Sequence, residues 1–105
     1  MSEKWIDVAK LGDVPEGGTF VAALGGEPIC LYNLGGRIYA THDICTHAKA
    51  SLAEGFIEGE NIECPLHQAQ FHIPTGKVVS APATVALRVY AVKVEGDTIY
   101  VLRQT

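Results

Sequence analysis

Paired glycines cut this chain into pieces of strand length, and that pattern constrains its fold more than any other feature. Gly25-Gly26 separates GTFVAAL (18–24) from PICLYN (28–33), and Gly35-Gly36 separates that run from RIYAT (37–41). Each glycine pair supplies the positive φ angles that a tight turn between antiparallel strands requires. Near the carboxyl end, LRVYAVKVE (87–95) and TIYVL (98–102) flank Gly96-Asp97, a third hairpin signal. Tyr90, Val92 and Val94 alternate with Val89, Ala91, Lys93 and Glu95, as in a strand with unequal faces. No segment sustains a helical period; Ser51 to Glu54 has room for a single turn. The fold class expected is all-β, built from small antiparallel sheets in a sandwich or barrel-like arrangement.

The chain has 105 residues, a length that suits one domain spanning 1–105 and suffices to bury a real core. Its formal net charge of −4 and lack of any Lys/Arg cluster argue against nucleic acid as a partner. The first residues, MSEKWIDVAK, carry charges where a secretory signal has an apolar run, and no stretch is apolar enough to span a bilayer. The expected setting is cytoplasmic, with no membrane partner. In that setting the 3 cysteines suggest metal or catalysis before disulfides.

Residues 43–76 stand apart. Their strand signals are short (GFIE at 55–58, NIEC at 61–64, and 71–73), and the stretch is poor in core residues. A subdomain organised around a metal centre is expected there. The same stretch contains C-T-H at 45–47 and C-P-L-H at 64–67. Each short loop thus offers one thiolate and one imidazole. If both grip one centre, two sulfurs take one side and two nitrogens the other, a division that suits a [2Fe–2S] cluster with unlike ligands on its two irons. A structural zinc site also uses two Cys and two His, but zinc modules usually pair like ligands at each end. A catalytic Cys–His pair lacks any visible oxyanion device or third orienting residue.

On these motifs, with Phe71 and Thr75-Gly76 behind them, the sequence resembles the Rieske-type [2Fe–2S] ferredoxins. KWIDVA, IYATHDICTHAKASLAEGFIEG and IECPLHQAQFHIPTGKVVSAP are similar to the ferredoxin components of bacterial aromatic-ring-hydroxylating dioxygenases acting on naphthalene or biphenyl. The resemblance implies a Rieske-type fold in which two loops form a cluster-binding subdomain at about 43–76. Cys45 and Cys64 would hold the inner iron and His47 and His67 the outer one. It further implies a one-electron carrier, not itself an enzyme. A NAD(P)H-dependent flavoprotein reductase would supply its electrons, and a terminal oxygenase would take them. A small Rieske subunit of a nitrite reductase, or a zinc-stapled binding module, are the competing readings.

High-potential members of the family carry a disulfide between the two loops and two hydroxyls that donate to cluster sulfur. The matching positions here are Ala50 and Leu66, and Ala69 and Phe71. Without those donors the reduced state is less favoured, which implies a potential toward the low end of the Rieske range, about −150 mV. Pro65 and Gly76 are expected to shape the loops, and Ser80-Ala81-Pro82 resembles the family's covering loop. Thr46, Ala48, Lys49, Gln68 and Gln70 are candidate docking residues around the imidazoles. Cys30, His42, His72, Trp5 and Tyr32 read as ordinary strand and packing residues. Glu54, Glu58, Glu60 and Glu63 form an acidic run, read either as a solvated face or as a rim that steers a basic partner.

Overall fold

The computed structural model describes residues 3–46, 49–66, 68–81 and 83–104. Among the described residues, eleven strands form three antiparallel sheets. Strands β1 (Glu3–Lys10), β11 (Thr98–Gln104) and β10 (Val92–Glu95) make the first, in the order β1-β11-β10. The second runs β2 (Thr19–Leu24), β3 (Glu27–Leu34), β4 (Arg37–His42), β9 (Val89–Tyr90). Both glycine-pair turns lie where expected, joining β2 to β3 and β3 to β4 in a meander. The third sheet holds only short strands: β5 (Phe56–Glu58), β6 (Asn61–Glu63), β7 (Gln70–His72) and β8 (Val78–Ser80).

The first two sheets enclose a core of Ile29, Leu31, Ile38, Ala40, Ile99 and Val101 with Val14 and Leu24. β3 is buried on both faces: Ile29 and Leu31 enter this core, while Cys30 and Tyr32 on the opposite face join the core beside the third sheet. The chain leaves this base at the end of β4, builds the third sheet, and returns to β9. His42 N–H donates to Arg88 O at 2.9 Å, so exit and return are hydrogen-bonded to each other. Thr19 Oγ1 donates to Ala53 O at 2.8 Å, a further link between base and third sheet.

Two sequence expectations are corrected. LRVYAVKVE is not one strand: it breaks at Ala91, with β9 pairing with β4 and β10 pairing with β11. A strand that crosses between packed sheets bends at such a corner, and the alternation of side chains carries no mark of it. Second, the 43–76 segment is not poor in core. Leu52, Ile62, Phe71 and Ile73 are buried together with Cys30, Tyr32, Ala83 and Leu87. The apolar residues arrive singly on short strands, so no local run announced them. Strand β1 also lay outside the hairpin signals, because its partner β11 lies at the other end of the chain, Lys10 pairing with Thr98 and Glu3 with Gln104, and no turn joins them.

Candidate metal centre

Two loops, the first between β4 and the third sheet and the second within that sheet, meet at their cysteines, and each closes in the same way. In the first, Cys45 N–H donates to Ala50 O at 3.0 Å, and Ile44 bridges Ser51 just outside. In the second, between β6 and β7, Cys64 N–H donates to Ala69 O at 2.7 Å. The same five-residue closure thus follows each cysteine, although the intervening sequences, THAK and PLHQ, differ. In the second loop Gln68 takes a left-handed conformation, φ 60°, which a non-glycine residue adopts only where the turn demands it.

Both cysteines are buried and neither is in a disulfide, and the Cys45 and Cys64 side chains meet as hydrogen-bond partners. Burial pushes the Cys64 thiol up to about 11; the Leu66 backbone N–H donating to it opposes the rise, and the Cys45 sulfur adds to it. Two buried thiols held together where two loops close suit a shared metal centre, whose binding would replace their protons. His47 and His67, the expected nitrogen donors, lie outside the described residues, as do Ala48 and Pro82. Thr46 Oγ1 donates to Val85 O at 2.6 Å, so the 83–88 segment braces the first loop from a third side. Ala69 and Phe71 are fully buried beside Cys64 and offer no hydroxyl.

The remaining singled-out residues divide clearly. Cys30 is fully buried in the core next to the loops, and burial pushes its thiol up to about 12. Tyr32, also fully buried, bonds Thr41 through its hydroxyl at 2.8 Å. His42 ends β4. His72 reaches outward to Glu60 Oε1 at 3.3 Å and Thr75 Oγ1 at 2.8 Å. Trp5 is not a core residue: it is 40% exposed, with Lys93 Nζ 4.7 Å from its ring centroid. Sequence reasoning missed Asp43, a carboxylate only 3% exposed at the entrance to the first loop. Its signal was a lone acidic side chain in the run IYATHDIC.

The raised thiols carry a pH prediction for cluster-free protein. Cys30 and Cys64 hold their protons more tightly folded than unfolded, where a thiol titrates near 9.0. Their contribution is therefore complete below about pH 9 and is lost as pH climbs toward 11 and 12, at up to about 1.4 kcal/mol per pH unit for each thiol. Urea unfolding at neutral pH and again near pH 10 should show stability falling; equal midpoints would remove the claim that both thiols are desolvated.

Residues 4–91 match the Rieske [2Fe–2S] domain family. The chain belongs to that family, and its cofactor is a Rieske-type [2Fe–2S] cluster. It is 44% identical over 101 residues to the ferredoxin component of the naphthalene 1,2-dioxygenase system of Pseudomonas aeruginosa, covering 96% of this chain and 97% of that one. Among solved structures, the complex of reduced oxygenase and oxidized ferredoxin in carbazole 1,9a-dioxygenase contains a chain 40% identical, with a TM-score of 0.85 and coverage of 92% and 91%. The putative NADH-dependent nitrite reductase small subunit from Mycobacterium tuberculosis has a TM-score of 0.87 over 100% of this chain and 99% of its own, but at 19% identity it shows a shared fold alone. Among the described residues, no helix is long and apolar enough to cross a membrane.

Proposed function

We propose that residues 1–105 form one Rieske domain in which Cys45, His47, Cys64 and His67 hold the cluster, within a subdomain spanning about 43–76. The protein works as a one-electron carrier in the cytoplasm. It takes electrons from a NAD(P)H-dependent flavoprotein reductase and delivers them to a terminal oxygenase that dihydroxylates an aromatic compound. It is an electron-transfer component of that system rather than a catalyst. The observation that carries this reading is the meeting of Cys45 and Cys64 at the closing ends of two loops that share one backbone closure. The bound cluster supplies a one-electron couple. The chain's residues bury the sulfurs, withhold hydroxyl donors from them, and present the loop tips to a partner. The near-half identity to a naphthalene dioxygenase ferredoxin, against a likeness of fold alone to the nitrite reductase subunit, favours the dioxygenase setting.

The third sheet adds a surface to this reading. Its inner row is Ile57, Ile62, Phe71 and Val78; the outer row is Phe56, Glu63, Gln70 and Ser80, flanked by Glu58, Asn61 and His72. Phe56 is 66% exposed among Glu54, Glu58 and Glu63, an apolar anchor ringed by carboxylates. Such a face suits a basic partner surface, where charge chiefly raises the association rate. Replacing Glu54, Glu58, Glu60 and Glu63 with glutamine should slow second-order reduction by the reductase of a naphthalene-type dioxygenase system about tenfold or more at low ionic strength. It should also flatten the salt dependence. Stopped-flow traces with the wild-type salt profile retained would return these glutamates to a solvated face. Failure of the wild-type protein to accept electrons from any such reductase would remove the carrier role.

A further inference from the structure

Asp43 is tied to β3 at one point and to the turn that follows the first loop at two. Its N–H donates to Pro28 O at 3.1 Å, its carbonyl accepts from Leu52 N–H at 2.7 Å, and its Oδ1 accepts from Ala53 N–H at 3.1 Å. Leu52 and Ala53 open the 3-10 turn Leu52–Glu54 that follows the loop, so Asp43 pins the entrance and exit of the Cys45 loop together. The side chain is 3% exposed, and a buried carboxylate is a costly way to accept one backbone N–H that an amide oxygen would accept as well. The charge is felt nearby: it is among the smaller influences raising the Cys30 thiol and the Tyr32 phenol.

We propose that Asp43 is a positioning residue for the Cys45 loop whose negative charge also holds the cluster's reduction potential down. This rests on the cluster reading above. Asp43 lies two positions before Cys45, which places their Cα atoms at most roughly 7 Å apart. The electron supplied by the flavoprotein reductase adds one negative charge to the cluster, with no bond made or broken at Asp43, and a fixed carboxylate at this range opposes that addition. A charge about 10 Å away across partly buried protein changes such an equilibrium on the order of tenfold. For one electron that is about 59 mV.

Wild type, Asp43→Asn and Asp43→Ala are compared by iron and sulfide content, visible spectrum, midpoint potential and rate of bleaching by a chelator. Asp43→Asn keeps the bond to Ala53 and should load the cluster fully, bleach like wild type, and take up an electron about tenfold more favourably. Asp43→Ala, which loses that bond as well, should bleach several-fold faster. A fully loaded Asp43→Asn with an unmoved potential overturns the inference, and so does Asp43→Asn that fails to load, because the staple then needs the charge. Bleaching of Asp43→Ala at the wild-type rate overturns the positioning role. Wild-type protein devoid of iron and sulfide would instead defeat the cluster reading itself.

Discussion

Cys64→Ala protein is expected to be isolated colourless, with iron and acid-labile sulfide at background and the folded state markedly weakened. Cys64 is fully buried, and its sulfur meets that of Cys45. Alanine therefore removes one of the two anchors that the described structure brings together. In small metal-organised domains ligation contributes on the order of 10 kcal/mol to folding, against total stabilities of about 5–15 kcal/mol. Here the third sheet has an apolar core of its own in Leu52, Ile62, Phe71 and Ile73. The loss should therefore be partial, about 3 kcal/mol or more, which lowers the thermal midpoint by roughly 10–25 °C for a domain of this size. Iron analysis and a thermal melt monitored by far-ultraviolet circular dichroism check both halves. Wild-type iron content in the variant would exclude Cys64 as a ligand.

Two glycines set the geometry around the loops, and their replacement should be the next most damaging change. A Cβ at Gly55 would strike the carbonyl oxygen of Glu63, the residue just before Cys64, with Leu52 O 3.2 Å away on its other side. A Cβ at Gly76 would strike Leu87 O, and Gly76 also holds φ at +77°. That carbonyl belongs to the returning segment, where Leu87 N–H donates to Gly76 O at 2.8 Å. Left-handed backbone costs an alanine about 1–2 kcal/mol, and forcing a methyl into filled space costs about 1–3 kcal/mol more. Gly76→Ala should therefore lose about 2–5 kcal/mol. Gly59, with φ +62° and nothing within 4 Å of its Cβ, is the matched control and should lose only the backbone share. Urea unfolding of the two variants separates the contributions; equal losses at Gly59 and Gly76 would show that the contact with Leu87 O does not matter.

The contrast between these glycines illustrates what a sequence displays. The Gly25-Gly26 and Gly35-Gly36 turns were legible because the residues that flank them pair with each other directly. Gly55 was not, because what it avoids is a carbonyl eight positions away on the neighbouring strand. Cys45 and Cys64 were legible from the spacing of their motifs; their convergence brings together the loop that precedes the third sheet and one inside it. Asp43 was harder to see, since its partners, Pro28, Leu52 and Ala53, come from both sides of it in the chain. The break at Ala91 had no signature either: alternation continues across it while the backbone changes sheet. Phe71 was marked only by its place behind the motif, yet it is a fully buried centre of the third sheet's core. Local chemistry and turn grammar read directly; contacts between distant strands do not.

The proposed site divides two thiolates and two imidazoles over the two irons of one cluster. Pulsed electron paramagnetic resonance of the dithionite-reduced protein addresses it most directly, because nitrogen nuclei bound to a paramagnetic cluster modulate the echo. The reduced cluster should show strong couplings to two inequivalent histidine nitrogens, one lost in His47→Ala and the other in His67→Ala wherever cluster survives. A reduced [2Fe–2S] signal free of coupled imidazole nitrogen, or a colourless protein containing zinc and no iron, would contradict it.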